Sequence, residues 1–150
     1  RGLKFFMLYN SPPAGFNPEQ EIVSCFCLYL GRFLLLKRVF GDKIGAGRWG
    51  VPAGKMKKKE KALTAAIREI KEETGVKLKP VDLNYFDTVY VRYPEFDFTF
   101  HIFYTSFEAV PKIVINRKEH AEFYWAEPRE SLQMDLILDE DKCVKRFFNL

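Results

Sequence analysis

The sequence is sparing in the features that would place it in several broad classes. It has three cysteines, Cys25, Cys27 and Cys143, and no CxxC pair. That excludes a Cys-rich structural zinc site, and the odd count argues for free thiols in a reducing, cytoplasmic setting over a disulfide framework. No apolar run is long enough to span a membrane, so no membrane role is expected. Charge of one sign is also scarce: 24 Lys and Arg face 20 Asp and Glu, for a net +4, with the signs interspersed. That balance suits a small phosphate-bearing substrate and lacks the basic footprint of a nucleic-acid binder. No protein partner is indicated. No repeat, linker or composition shift divides residues 1–150, which read as one domain large enough to bury a core. The Arg1-Gly2 start, without Met or an apolar h-region, reads as a trimmed chain end.

What the chain does hold is organised around residues 54–76, GKMKKKEKALTAAIREIKEETGV. Leu63, Ala66, Ile67 and Ile70 fall at i, i+3, i+4 and i+7, the period of a helix with one buried face. Glu69, Glu72 and Glu73 stand at i, i+3 and i+4 on a neighbouring face, close enough to share cations. Several carboxylates on one face repel each other unless cations bridge them, and hard oxygen donors select Mg²⁺ or Mn²⁺. Arg68 is placed to orient a neighbouring carboxylate. Gly54 is expected at a tight turn, and Gly75 at a left-handed helix end. Lys57, Lys58 and Lys59 are read as the start of the helix, where cations oppose its dipole.

The spacing Gly54, five residues, Glu60, seven residues, then Arg68-Glu69-Ile70-Lys71-Glu72-Glu73-Thr74-Gly75-Val76 resembles the signature of the Nudix hydrolases. The resemblance implies an α/β fold, a Nudix-type α/β/α sandwich with a mixed β-sheet between helices. It also implies cleavage of a nucleoside diphosphate linked to another moiety, with water attacking a bridge phosphorus. Glu69, Glu72, Glu73 and the Ala53 carbonyl would hold Mg²⁺ or Mn²⁺, and Glu60 would support them. In many members a loop acid approaches the metals; Glu119 is the candidate general base and Glu122 its rival as a further ligand. Glu69 also competes for the role of base. Arg38 and Lys55 are candidate phosphate contacts.

The remaining elements follow from pattern. Residues 3–9 read as a short strand, and residues 10–20 as a turn-rich loop. Residues 22–30 and 33–39 form a hairpin about Gly31-Arg32. Gly41 to Gly50, with four glycines, suits a mobile loop near a ligand as much as a simple connection. Residues 81–93 and 97–107 form a second hairpin whose turn holds Pro94. Phe123 and Trp125 are expected in the core, and residues 139–149 form an amphipathic helix with an acidic first turn and Cys143, Val144, Phe147 and Phe148 packed inward. His101 reads as a satisfied strand residue.

Substrate identity rests on less. Tyr93, seventeen residues past Val76, and Glu119-His120 before an aromatic strand resemble features of the diadenosine polyphosphate hydrolases. Tyr93 or Phe96 would stack on a base. The expected substrate is therefore a small-molecule nucleotide, either a dinucleoside polyphosphate or a nucleoside triphosphate. ADP-ribose or another nucleotide sugar is the alternative, and a catalytically silent nucleotide-sensing module is the alternative of another class.

Overall fold

A computed structural model describes residues 7–40 and 46–150. Of the expected N-terminal strand, residues 3–6 lie outside the described residues, as do residues 41–45 of the glycine-rich loop. The described chain runs β1 (Met7–Tyr9), β2 (Pro18–Tyr29), β3 (Arg32–Arg38), β4 (Trp49–Gly50), β5 (Ala53–Lys55), α1 (Ala62–Thr74), a 3₁₀ turn (Pro80–Asp82), β6 (Asn84–Arg92), β7 (Asp97–Ser106), β8 (His120–Ala126), α2 (Pro128–Ser131) and α3 (Glu140–Phe148).

The first hairpin forms as expected, with its turn one residue earlier, at Leu30-Gly31 instead of Gly31-Arg32. Leu30 and Gly31 both take positive φ, 48° and 73°, the two-residue turn whose twist matches the flanking strands. β2 and β3 stay paired only near the turn, at Leu28–Phe33 and Tyr29–Arg32. Beyond that they part. β2 pairs with β7 in parallel from Pro18–Asp97 to Leu28–Ser106 and with β5 antiparallel, while β3 pairs with β8 and β4. The sheet order is β1-β6-β7-β2-β3-β4, a mixed sheet forked at its centre.

Both faces of the central strands are covered, so their alternation is apolar against apolar. On one face Phe26, Phe33, Leu35 and Ile102 pack beneath α3. On the other, Val23, Cys25, Cys27, Leu34 and Leu36 pack beneath α1 through Ala65, Ala66 and Ile70. α3 seals its side with rings: Phe147 stacks on Phe26 at 4.3 Å and Phe148 meets Phe33 at 5.2 Å. Burying one such side chain contributes about 2 to 3 kcal/mol. This is the expected sandwich, and Cys25 and Cys27 are core residues with Cys143 buried opposite. No helix among the described residues is long and apolar enough to cross a membrane.

Several expectations are corrected. The helix begins at Ala62, not at the lysine run. Lys59 takes a left-handed conformation (φ 64°), and the Lys57 N–H donates to Glu60 Oε1, so the lysines form the turn before the helix. Residues 80–82 form the 3₁₀ turn, and β6 starts at Asn84. Phe123 is exposed, because β8 pairs only with β3 among the described strands and leaves the sheet edge beyond it open. Trp125 does pack, against the α1-side cluster.

Candidate active site

β5 and α1 are adjacent in sequence and packed together, and their contact sets the geometry. Gly54 is not the tight turn expected of it, being a strand residue paired with Val23. Its requirement is space: a Cβ there would stand 2.1 Å from the Glu69 carboxyl carbon. The absent side chain is the cradle that admits Glu69 to the strand. Gly75, as expected, ends α1 in the left-handed region (φ 77°), with its N–H donating to the Lys71 carbonyl at 2.9 Å.

Arg68 lies between the acids. Its Nη2 and Nε donate to Glu60 at 2.8 and 2.9 Å, and its Nη1 to Glu69 at 2.7 Å and Glu72 at 3.3 Å. Nη2 also donates to the Lys55 carbonyl at 3.1 Å, tying α1 to β5. The Arg68 guanidinium, with the Lys57 N–H, lowers the Glu60 carboxyl to about 2. Glu73 faces a different environment. It is buried and accepts the Ala53 N–H at 2.9 Å. Burial pushes its carboxyl well above the usual range, and the charges of Glu69 and Glu119 push the same way against the Ala53 N–H and Arg38. Burial likewise raises Glu69, opposed by Arg68 and reinforced by Glu72 and Glu119.

These groups open onto a cavity of about 500 Å³. One end is polar, with Glu69, Glu73, Glu119, Arg38, Arg68 and the Ala53–Lys55 strand. The other, across β2 on the β7 side, is mainly apolar, with Leu8, Tyr93, Phe96, Phe98 and Phe100, and Asp139 adds a carboxyl near Tyr93. Tyr93 meets Phe96 and Phe98 edge-on at 5.5 and 5.1 Å. The structure thus brings together most residues singled out from the sequence, and it separates three others from the cavity. Glu72 is half exposed, and Glu60 is held behind Arg68. Glu122 is exposed and paired with Lys37 at 3.6 Å across the β3–β8 ladder. Of the two loop acids, Glu119 lines the cavity and Glu122 does not. His101 lies outside it, bonded to Glu21 (2.9 Å) and Thr88 (3.1 Å).

Sequence reasoning missed Gln20, Asp139 and Glu140, which also line the cavity. The sequence shows the acidic first turn of α3 but not which way its carboxyls point. Glu140 is buried and accepts the Val51 N–H at 2.8 Å, and burial raises its carboxyl to about 7.

The sequence pattern of the NUDIX domain matches residues 18–147. The chain belongs to the Nudix family. Its fold is shared with the MutT protein of Methanosarcina mazei Go1, at 25% identity and a TM-score of 0.74 over 88% of this chain and 94% of that one. The Nudix domain of Shewanella oneidensis NrtR, solved with ADP ribose, is similar over 93% of each chain at 18% identity and a TM-score of 0.75. A Caenorhabditis elegans Ap4A hydrolase is similar at 17% identity over 87% of this chain and 96% of that one, with a TM-score of 0.69. Comparison with curated proteins gives no match. Membership implies a hydrolase of the Nudix type.

Whether the residues fit the divalent cation of that family is a question of donor chemistry. Among the described residues no three His, Cys, Asp or Glu side chains stand as a finished ligand set. The carboxylates are held by Arg68 and by the Ala53 N–H. They nonetheless fit a hard cation: Glu69, Glu73 and Glu119 are mutually repelling oxygen donors in one cavity, and Gly54 leaves room for the first of them.

Proposed function

We propose that this Nudix protein hydrolyses the phosphoric anhydride linkage of a nucleotide, a dinucleoside polyphosphate or a nucleoside triphosphate, with Mg²⁺ or Mn²⁺. The observation that carries the reading is the two-ended cavity, with carboxylates and cations at one end and an aromatic wall at the other. A phosphate chain and a base need those two environments side by side.

In this reading Glu69, Glu72, Glu73 and the Ala53 carbonyl would hold the cation. When bound, the ion supplies positive charge to the phosphates and lowers the pKa of a water. The chain's own residues do the rest. Arg68 orients Glu69 from behind, with Glu60 fixing the guanidinium. Arg38 and Lys55 meet the phosphate oxygens. Glu119, on the loop that enters β8, takes the proton from the attacking water; Glu122, exposed beside Lys37, has no part in the reaction. Tyr93 and Phe96 contact the base. Three buried free thiols suit a cytoplasmic protein.

The test is a panel of nucleoside triphosphates, diadenosine polyphosphates and ADP-ribose incubated with Mg²⁺, followed by phosphate and nucleotide release. Turnover of the first two classes above the third is expected. Preferred cleavage of ADP-ribose would overturn the substrate assignment. No turnover of any compound, with a nucleotide still bound, would establish a sensor instead.

A further inference from the structure

The strand segment bearing the Ala53 carbonyl is fastened residue by residue. The Trp49 N–H donates to the Asp135 carbonyl at 2.9 Å, and the Ile137 N–H returns to the Trp49 carbonyl at 2.8 Å. The Cys25 N–H donates to the Pro52 carbonyl at 3.0 Å, and the Ala53 N–H to Glu73. Between these, the buried Val51 N–H is met by a side chain from another element, Glu140 Oε1 at the first turn of α3, 2.8 Å away. A buried N–H left without a partner costs about 1 to 3 kcal/mol, so some acceptor is required at that point.

The approach of Glu140 is accommodated by the neighbouring residue. A Cβ on Gly50 would stand 3.2 Å from Glu140 Oε1 and 2.7 Å from Ile137 Cδ1. The absent side chain at position 50 leaves α3 room to reach the strand, as the one at position 54 leaves α1 room. The two glycines flank a short segment, held by a glutamate from each side of the sheet: Glu140 at Val51 and Glu73 at Ala53.

We infer that Glu140 is a positioning residue, which by accepting the Val51 N–H sets the path of residues 51–54 and so the direction of the Ala53 carbonyl toward the divalent cation. This rests on the metal-dependent reading above. Glu140 acts on the Ala53 carbonyl through the backbone.

The test measures Mn²⁺ binding to the full chain without nucleotide, from the electron paramagnetic resonance signal of free Mn²⁺. Glu140→Gln keeps an oxygen for the Val51 N–H and should bind within about twofold of the unmodified protein. Glu140→Met removes the acceptor at similar volume and should weaken binding about 10- to 100-fold, the range for residues that orient a ligand from behind. Circular dichroism reports whether each variant is folded. If Glu140→Met does not fold, Gly50→Ala presses on the same carboxyl and should weaken binding in the same direction. Unchanged Mn²⁺ affinity in folded Glu140→Met, or in Gly50→Ala where that variant stands in, overturns the inference. So does equal weakening by Glu140→Gln, which would make the charge and not the acceptor the active feature. An unmodified chain that binds no Mn²⁺ overturns the metal reading itself, and this inference with it.

Discussion

The two ends of the cavity are built in different ways. The polar end is nearly local: Ala53, Gly54, Arg68, Glu69 and Glu73 come from one strand-turn-helix unit, and the contacts that shape it stay within about twenty residues. The apolar end is the β6–β7 hairpin and its turn, with Leu8 added by the pairing of β1 to β6, and it stands beside the polar end only because β7 runs parallel to β2. Each end is therefore written as a local pattern, and their meeting in one cavity as a topology. A parallel pairing needs a long connection, so the residues that meet across it share no short-range pattern.

That contrast predicts separable failures. The largest effect is expected at the polar end: Glu73→Gln should lower turnover by about 100-fold or more while the circular dichroism spectrum is retained. Near-normal turnover would remove Glu73 from the metal set and break the comparison at its stronger side. At the apolar end, Phe96→Ala should raise KM about tenfold with kcat little changed, since one stacked ring contributes about 1 to 3 kcal/mol. A fall in kcat with KM unchanged would show that the two ends are not separable. The smallest effect is expected at Glu122→Gln, with turnover within about twofold of the unmodified protein, because an exposed pair such as that with Lys37 contributes about 1 kcal/mol or less. A large loss there would return Glu122 to the reaction.

The same contrast explains what could be read in advance. The Glu69-Glu72-Glu73 face, the apolar stripe of α1, the Gly75 cap and both hairpins follow from periods and turn residues within one element. The choice between Glu119 and Glu122 does not. They are three residues apart at the entry to a strand, and the β3–β8 ladder shifts register between Lys37 and Arg38 at that place. Glu122 enters the ladder opposite Lys37, while Glu119 remains on the loop, its carbonyl accepting the Val39 N–H at 3.0 Å. Glu140 was hidden for another reason: an acidic residue in a first turn has a sufficient local explanation, and only packing shows that it points inward. Gly54 was noticed for the wrong property, because a glycine needed for room and one needed for a turn are the same letter.

Gly54 also sets how the site can drift. Every base change of a glycine codon that alters the residue installs a Cβ, and at this position that atom would lie inside the Glu69 carboxyl. Neither polarity nor charge of the newcomer alters the collision. Any such newcomer must therefore displace the Glu69 carboxyl from the strand, so a change at position 54 is felt first at the proposed metal site, while the rings of the opposite wall lie apart from that carboxyl.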